Sequence, residues 1–253
     1  MIHSFLLIGQ SYAAGRGFFN EAEPLDTCKN KLLVLRNGRW QTMFRPVNPD
    51  RSFSGTCLAE SFAKAYSEAH PDVEVGIIPC ADGGTTLEQW QAGGLLFDNA
   101  VNCAKLAMRT SNLVGALWHQ GEGDCSSEKY PLYEERFTKI MDELRKSLEM
   151  PNLPILVGGL GDFLSQCTLD ENLKNYHYIN SALMKIAEEH PNYAFVSASG
   201  LGANPDNLHF NAAALKEFGI RYFNEYKKLD SHDTDSCSEP KEQDSVRTKM
   251  ELL

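Results

Sequence analysis

The chain has 253 residues, 42% of them hydrophobic and 23% charged, with a formal net charge of −10 and a pI near 5.2. That is the balance of an ordinary globular protein with enough apolar material for a sizeable core. An acidic chain without a basic patch repels a phosphate backbone or an anionic bilayer, which excludes nucleic acid and membrane surfaces as partners.

The opening run from Met1 to Ile8 has neither a basic n-region nor a small-residue cleavage site, so it reads as a buried strand rather than a leader. No apolar stretch approaches the roughly 18–20 residues that span a bilayer. Further runs follow at Val73–Pro79, Leu113–His119, Ile155–Leu160 and Ala194–Ser197, after a first at Phe5–Gly9. Each is nearly continuous in apolar residues, as strands covered on both faces must be.

Helical patterns lie between them, at Ser54–Ala69, Leu95–Met108, Glu128–Leu148, Asn175–Glu189 and Asn211–Lys227. In the last, Leu215, Phe218, Tyr222 and Tyr226 form a core-facing stripe. This alternation predicts an α/β protein, a parallel sheet covered by helices on both faces. One insertion interrupts it: Leu32–Leu35 and Trp40–Met43 flank Asn37-Gly38, a favoured hairpin turn. The expectation is a small β-hairpin hanging off the main sheet near its C-terminal edge.

From Asp230 to Leu253 the composition turns polar, which predicts a domain over residues 1–229 and a disordered acidic tail over 230–253. Seven scattered cysteines with no C-x-x-C pair argue against a disulfide framework or zinc knot. A reduced, cytoplasmic protein is the expectation.

Ligands of open parallel sheets bind beyond the carboxyl ends of the strands. The segments delivered there are Gly9-Gln10-Ser11, Asp82-Gly83-Gly84-Thr85, His119-Gln120-Gly121-Glu122-Gly123-Asp124 and, before the last helix, Asp206-Asn207-Leu208-His209. Taken alone, Ser11 suits a helix cap as well as a nucleophile. Asp206 three residues before His209 can accept the Nδ1 proton and aim Nε2 at a serine, or the two can simply belong to a turn.

Backbone N–H groups of Ser11 and of Gly83 or Gly84, with the Gln120 amide, are candidate oxyanion donors. A phosphate loop is excluded because the glycines around Arg16 lack the required spacing, and a metal site because H-E-x-x-H is absent. Together the four segments make the layout of a hydrolase.

Gly9-Gln10-Ser11, Gly83-Gly84-Thr85, His119-Gln120-Gly121-Glu122-x-Asp124 and Asp206-x-x-His209 resemble the sialate O-acetylesterase-like branch of the SGNH hydrolases. That branch also holds the acetylxylan esterases of carbohydrate esterase family six. The resemblance runs from about residue 4 to about 227. It implies a flavodoxin-like three-layer α/β/α sandwich and a catalytic triad of Ser11, Asp206 and His209. It further implies an oxyanion hole of Ser11 N–H, a glycine of the Gly83-Gly84 turn and the Gln120 side chain.

Glu122 is implied as a supporting carboxylate, and Arg16 as a structural or substrate-facing residue. No cofactor and no metal are implied, and the substrate is a small acetylated carbohydrate such as an oligosaccharide or sialic acid. The alternatives are an esterase or thioesterase acting on non-carbohydrate acyl groups, with Tyr12, Trp90 and Trp118 as groove walls, and a noncatalytic carbohydrate-binding relative. One departure stands out: the family usually carries asparagine directly after the nucleophile, and this chain has Tyr12.

Overall fold

A computed structural model describes residues 1–25, 27 and 31–230. The expected tail falls, beyond Asp230, outside the described residues. Seven strands form one sheet: β1 (Ile2–Gly9), β2 (Leu32–Arg36), β3 (Arg39–Thr42), β4 (Glu74–Pro79), β5 (Asn112–His119), β6 (Ile155–Gly158) and β7 (Tyr193–Val196). Their order is β3-β2-β4-β1-β5-β6-β7, and every pairing is parallel except β2 with β3.

The described helices are α1 (Ser11–Ala14), α2 (Leu58–Ala69), α3 (Leu95–Ala107), α4 (Tyr133–Leu148), α5 (Tyr176–Glu189) and α6 (Ala212–Asp230). Helices α2 and α6 pack together on one face, and α3, α4 and α5 follow one another on the other. The three-layer α/β/α architecture expected from the sequence is the one observed.

The central strand supplies the core on both sides because its residues are apolar without alternation. Phe5 meets Phe62 and Tyr66 of α2 at ring-centroid distances of 4.7 and 4.9 Å, and Tyr226 of α6 at 5.3 Å. On the opposite face Trp118 meets Trp90 at 5.4 Å and Phe137 at 5.5 Å. The stripe Leu215, Phe218, Tyr222 and Tyr226 is buried as its spacing requires.

Two boundaries differ from expectation for identifiable reasons. Helix α2 begins at Leu58 rather than Ser54, because Gly55 and Thr56 donate to Gly15 and Gly17 carbonyls in an extended bridge. Cys57 then caps the helix, with its N–H on the Glu60 carboxylate. Helix α4 begins at Tyr133 rather than Glu128, since Pro131 sits in a preceding 3₁₀ turn, Tyr130–Leu132.

The hairpin requires a correction. It does not hang off the sheet; β2 pairs in parallel with β4, Leu32 opposite Val75 and Val34 opposite Ile77, so the hairpin is the sheet's edge. The physical reason lies in Leu32-Leu33-Val34-Leu35, a run buried throughout that no solvent-exposed hairpin could carry.

Candidate active site

The chain leaves β1 hard against β5. Gly9 has φ +116°, and a Cβ there would stand 2.1 Å from the His119 carbonyl oxygen, so only glycine fits. The Gln10 N–H donates to that same carbonyl at 2.7 Å. Helix α1 starts immediately afterwards. Its N-cap is Gln10, so Ser11 is the first helical residue and does not act as the cap. In a first turn the backbone N–H has no intrahelical acceptor, which leaves the Ser11 N–H available to a ligand.

Asp206 and His209 form one tight unit. His209 Nδ1 donates to Asp206 Oδ2 at 2.7 Å, and Asp206 Oδ1 accepts the Leu208 and His209 N–H groups, each at 2.9 Å. Burial alone would raise the Asp206 carboxyl, but the imidazole and both backbone donors outweigh it and hold the group below the usual carboxylate value. An ionised Asp206 can only accept, so the Nδ1 position carries the proton and Nε2 is left basic. This is the orientation the three-residue spacing offered.

The serine and histidine segments meet through Tyr12. Its ring is fully buried, edge-on to His209 at 5.8 Å, to His119 at 4.8 Å and to Phe210 at 4.5 Å. Its hydroxyl donates to the Leu208 carbonyl, one residue before His209.

The predicted oxyanion donors separate into free and engaged groups. Gly84 is exposed at φ +78° with nothing near its Cα face, as suits a backbone donor facing a ligand. The Gly83 N–H instead donates to Asp50 Oδ2 at 2.9 Å. Gln120 is fully buried, and its amide nitrogen donates to the Thr85 carbonyl at 3.0 Å and Asp124 Oδ2 at 2.6 Å. Both of its N–H bonds are therefore spent inside the protein. In this structure Gln120 joins the Thr85 turn to Asp124, which also accepts the Leu87 N–H at 2.9 Å.

Arg16 is engaged within the protein. It lies buried against Asp50, with Nη1 3.0 Å from Oδ1 and Nη2 2.7 Å from Oδ2. Sequence reading missed the segment that supplies Asp50. Asn48 exchanges two hydrogen bonds with the Ala81 backbone at 2.9 and 3.0 Å, and Arg51 donates to the Gly83 carbonyl and pairs with Asp82. Residues 48–51 thus hold the Ala81–Gly84 turn from beneath. The sign available in the sequence was Arg16 itself, a charge among small residues that needed a counter-ion if buried.

Glu122 is buried, with the Tyr12 hydroxyl and the Gly121 and Glu122 backbone as its polar neighbours. Burial pushes the group up to about 8, so it is protonated at neutral pH. His119 is likewise buried, pushed down to about 4, with Nε2 3.0 Å from the Gly159 carbonyl. Among the described residues no group of three or more His, Cys, Asp or Glu side chains is arranged to hold a metal ion.

The raised Glu122 value has a sign. The folded state holds a proton that the unfolded chain has released, so between about pH 5 and pH 8 stability falls as pH rises. Glu122→Gln is expected to flatten that slope, by on the order of a few kcal/mol at pH 9 relative to pH 5. Urea midpoints of both proteins across that range measure it.

The sequence profile of the family described as "Carbohydrate esterase, sialic acid-specific acetylesterase" matches residues 1–228. The chain belongs to this family. It is a carboxylic ester hydrolase of the carbohydrate esterase type.

"Probable carbohydrate esterase At4g34215" of Arabidopsis thaliana is 25% identical over 242 residues, covering 85% of this chain and 86% of that protein. The structure of that Arabidopsis protein aligns with a TM-score of 0.77 at 24% identity, covering 89% of this chain and 98% of the other. NanS aligns at 0.73 and 16% identity, covering 92% and 98%. Axe2, an acetylxylan esterase from Geobacillus stearothermophilus solved as a catalytic serine-to-alanine variant, aligns at 0.56 and 16% identity, covering 88% and 94%. These structural likenesses show the shared fold.

Within this carbohydrate esterase, Tyr12 takes the place where the resemblance sets asparagine. Tyr12→Phe keeps the buried ring and removes the hydroxyl that bonds Leu208 and neighbours Glu122, leaving a carbonyl unsatisfied. The expected cost is about 1 kcal/mol of stability, with a few-fold loss of kcat as the His209 turn loosens. Thermal unfolding and ester hydrolysis check the two effects.

Proposed function

We propose that this carbohydrate esterase removes O-acetyl groups from a small acetylated sugar by a Ser11–His209–Asp206 mechanism. The observation that carries the reading is the Asp206–His209 hydrogen bond, on a turn tied by its Leu208 carbonyl to Tyr12, the residue beside Ser11. Ser11 Oγ attacks the acetyl carbonyl while His209 Nε2 takes its proton. Backbone N–H groups of Ser11 and Gly84 face the oxyanion. The sugar hydroxyl leaves with the proton from His209, and water then releases acetate by the reverse sequence. No cofactor enters these steps.

A short acyl group is supported by the aromatic side chains that could have walled a longer groove. Trp90, Trp118 and Tyr12 are all packed into the core. The described cysteines are free thiols, which supports a reducing compartment and a small soluble substrate rather than a polymer. No described helix is long and apolar enough to cross a membrane.

The test is acetate release from O-acetyl sialic acid, acetylated xylo-oligosaccharides and 4-nitrophenyl acetate, beside the butyrate and hexanoate esters of 4-nitrophenol. Release from a sugar with preference for acetate is expected. Preference for the longer acyl chains would favour the non-carbohydrate reading. Tight sugar binding without acetate release would favour the noncatalytic one.

A further inference from the structure

His209 stands on a loop that closes on itself. Ala203 and Phe210 form an antiparallel bridge at its base, and the Asn204 N–H donates to the His209 carbonyl at 2.6 Å. The Asn204 carbonyl accepts the Asn207 N–H at 3.0 Å, and Asn207 turns the chain at φ +48°. Asp206 accepts two further N–H groups inside the turn, so residues 204–209 have little freedom among themselves.

Where this loop stands relative to Ser11 depends on contacts outside it. Tyr12 supplies one tie, at the Leu208 carbonyl. Asn204 supplies a second: its side chain is buried, and Nδ2 donates to the Arg16 carbonyl at 3.0 Å.

Arg16 is a firm anchor for that tie. Its guanidinium is held by Asp50, and Nη1 also donates to the Gly15 carbonyl at 2.7 Å. Asp50 in turn accepts the Gly83 N–H. The histidine loop, the segment running on from Ser11 and the Gly83-Gly84 turn therefore meet at Arg16. Asn204 joins the loop to that junction.

We propose that Asn204 is a positioning residue, whose side-chain hydrogen bond to the Arg16 carbonyl sets where His209 stands relative to Ser11. This role rests on the Ser11–His209 reading and deepens it. The main chain of Asn204 closes the loop, whereas its side chain reaches the nucleophile segment. Truncating the side chain therefore leaves the loop closed and loosens its placement. Proton transfer needs heavy atoms about 2.6–3.2 Å apart, and a displacement of about 1 Å can cost on the order of a hundredfold in rate.

The test measures 4-nitrophenyl acetate hydrolysis by Asn204→Ala, by His209→Ala and by the double variant. Each is assayed at a temperature where circular dichroism shows it folded. Asn204→Ala is expected to lower kcat on the order of a hundredfold, with KM within about twofold of wild type. Added to His209→Ala, it should lower the residual rate no further, because no imidazole remains to be misplaced. A general loosening of the fold would lower that residual rate as well. Should Asn204→Ala fail to fold, Asn204→Ser, whose hydroxyl stops one bond short of the amide nitrogen, carries the same comparison.

Wild-type kcat in the Asn204 variant, a rise in KM alone, or an equal loss with and without His209 would overturn the positioning role. Undiminished activity in His209→Ala would instead overturn the mechanism beneath it, so the two failures are told apart.

Discussion

Ser11→Ala is expected to lower kcat/KM for acetyl-ester hydrolysis by at least about a thousandfold while leaving the fold intact. The side chain removed is small, and it neither caps α1 nor fills the core, so circular dichroism and thermal unfolding should match wild type. On the proposed mechanism the loss arises because the backbone donors at Ser11 and Gly84 survive the change but no tetrahedral oxyanion forms for them to receive. His209→Ala should cost a similar factor, and the double variant no more than either alone, since the proposed mechanism has the two groups act in one proton transfer.

Asp206→Asn provides a separate arm. It keeps the turn but lets the amide favour the wrong imidazole tautomer, for which a loss of about 10⁴ is the scale in comparable triads. Additive losses in the Ser11/His209 pair would argue against a shared step.

Asp50→Ala should give the largest change in stability, about 3–5 kcal/mol. Its carboxylate accepts Arg16 twice, the Ser54 hydroxyl at 2.7 Å and the Gly83 N–H at 2.9 Å, with side-chain exposures of 7% for Arg16 and 3% for Asp50. Truncation leaves a guanidinium buried without a counter-ion, which costs far more than the intact pair contributes over an apolar replacement. Arg16→Met combined with Asp50→Ala should therefore recover part of the loss, as urea unfolding would register.

The pH behaviour follows from the same contacts. Burial raises the Asp50 carboxyl, but Arg16, Ser54 and Gly83 together bring it below its ordinary value. A carboxyl lowered in the folded state adds stability that is complete above its unfolded value and disappears as pH falls through the folded one. Wild type should lose this increment in acid, and the Asp50 variant should show a shallower acid limb. Since Asp50 also fixes Gly83, kcat should drop even where the variant remains folded.

The sheet was legible because strands covered on both faces must be apolar without alternation, as Phe5–Ile8 and Ile155–Val157 are. The four site segments were legible because parallel strands present their carboxyl ends on one side. What escaped reading depended on long-range partners. Nothing in the spacing of Asn48, Asp50 and Arg51 says that they hold a turn more than thirty residues later.

Gln120 shows the complementary difficulty. An amide in a polar motif announces donors, but whether they face a ligand or a neighbouring carboxylate depends on where Asp124 and Thr85 come to rest. Tyr12 was visible as a departure, yet its attachment to Leu208 required the folded chain.

The Tyr12–Leu208 bond spans 196 residues of sequence, and the Asn204 side chain reaches back 188 residues to the Arg16 carbonyl. On the proposed mechanism the serine thus lies near the start of the described residues, and the histidine near their end. Activity should appear abruptly in a series of C-terminally extended fragments, only once residues 204–230 are present to close the chain on its own beginning.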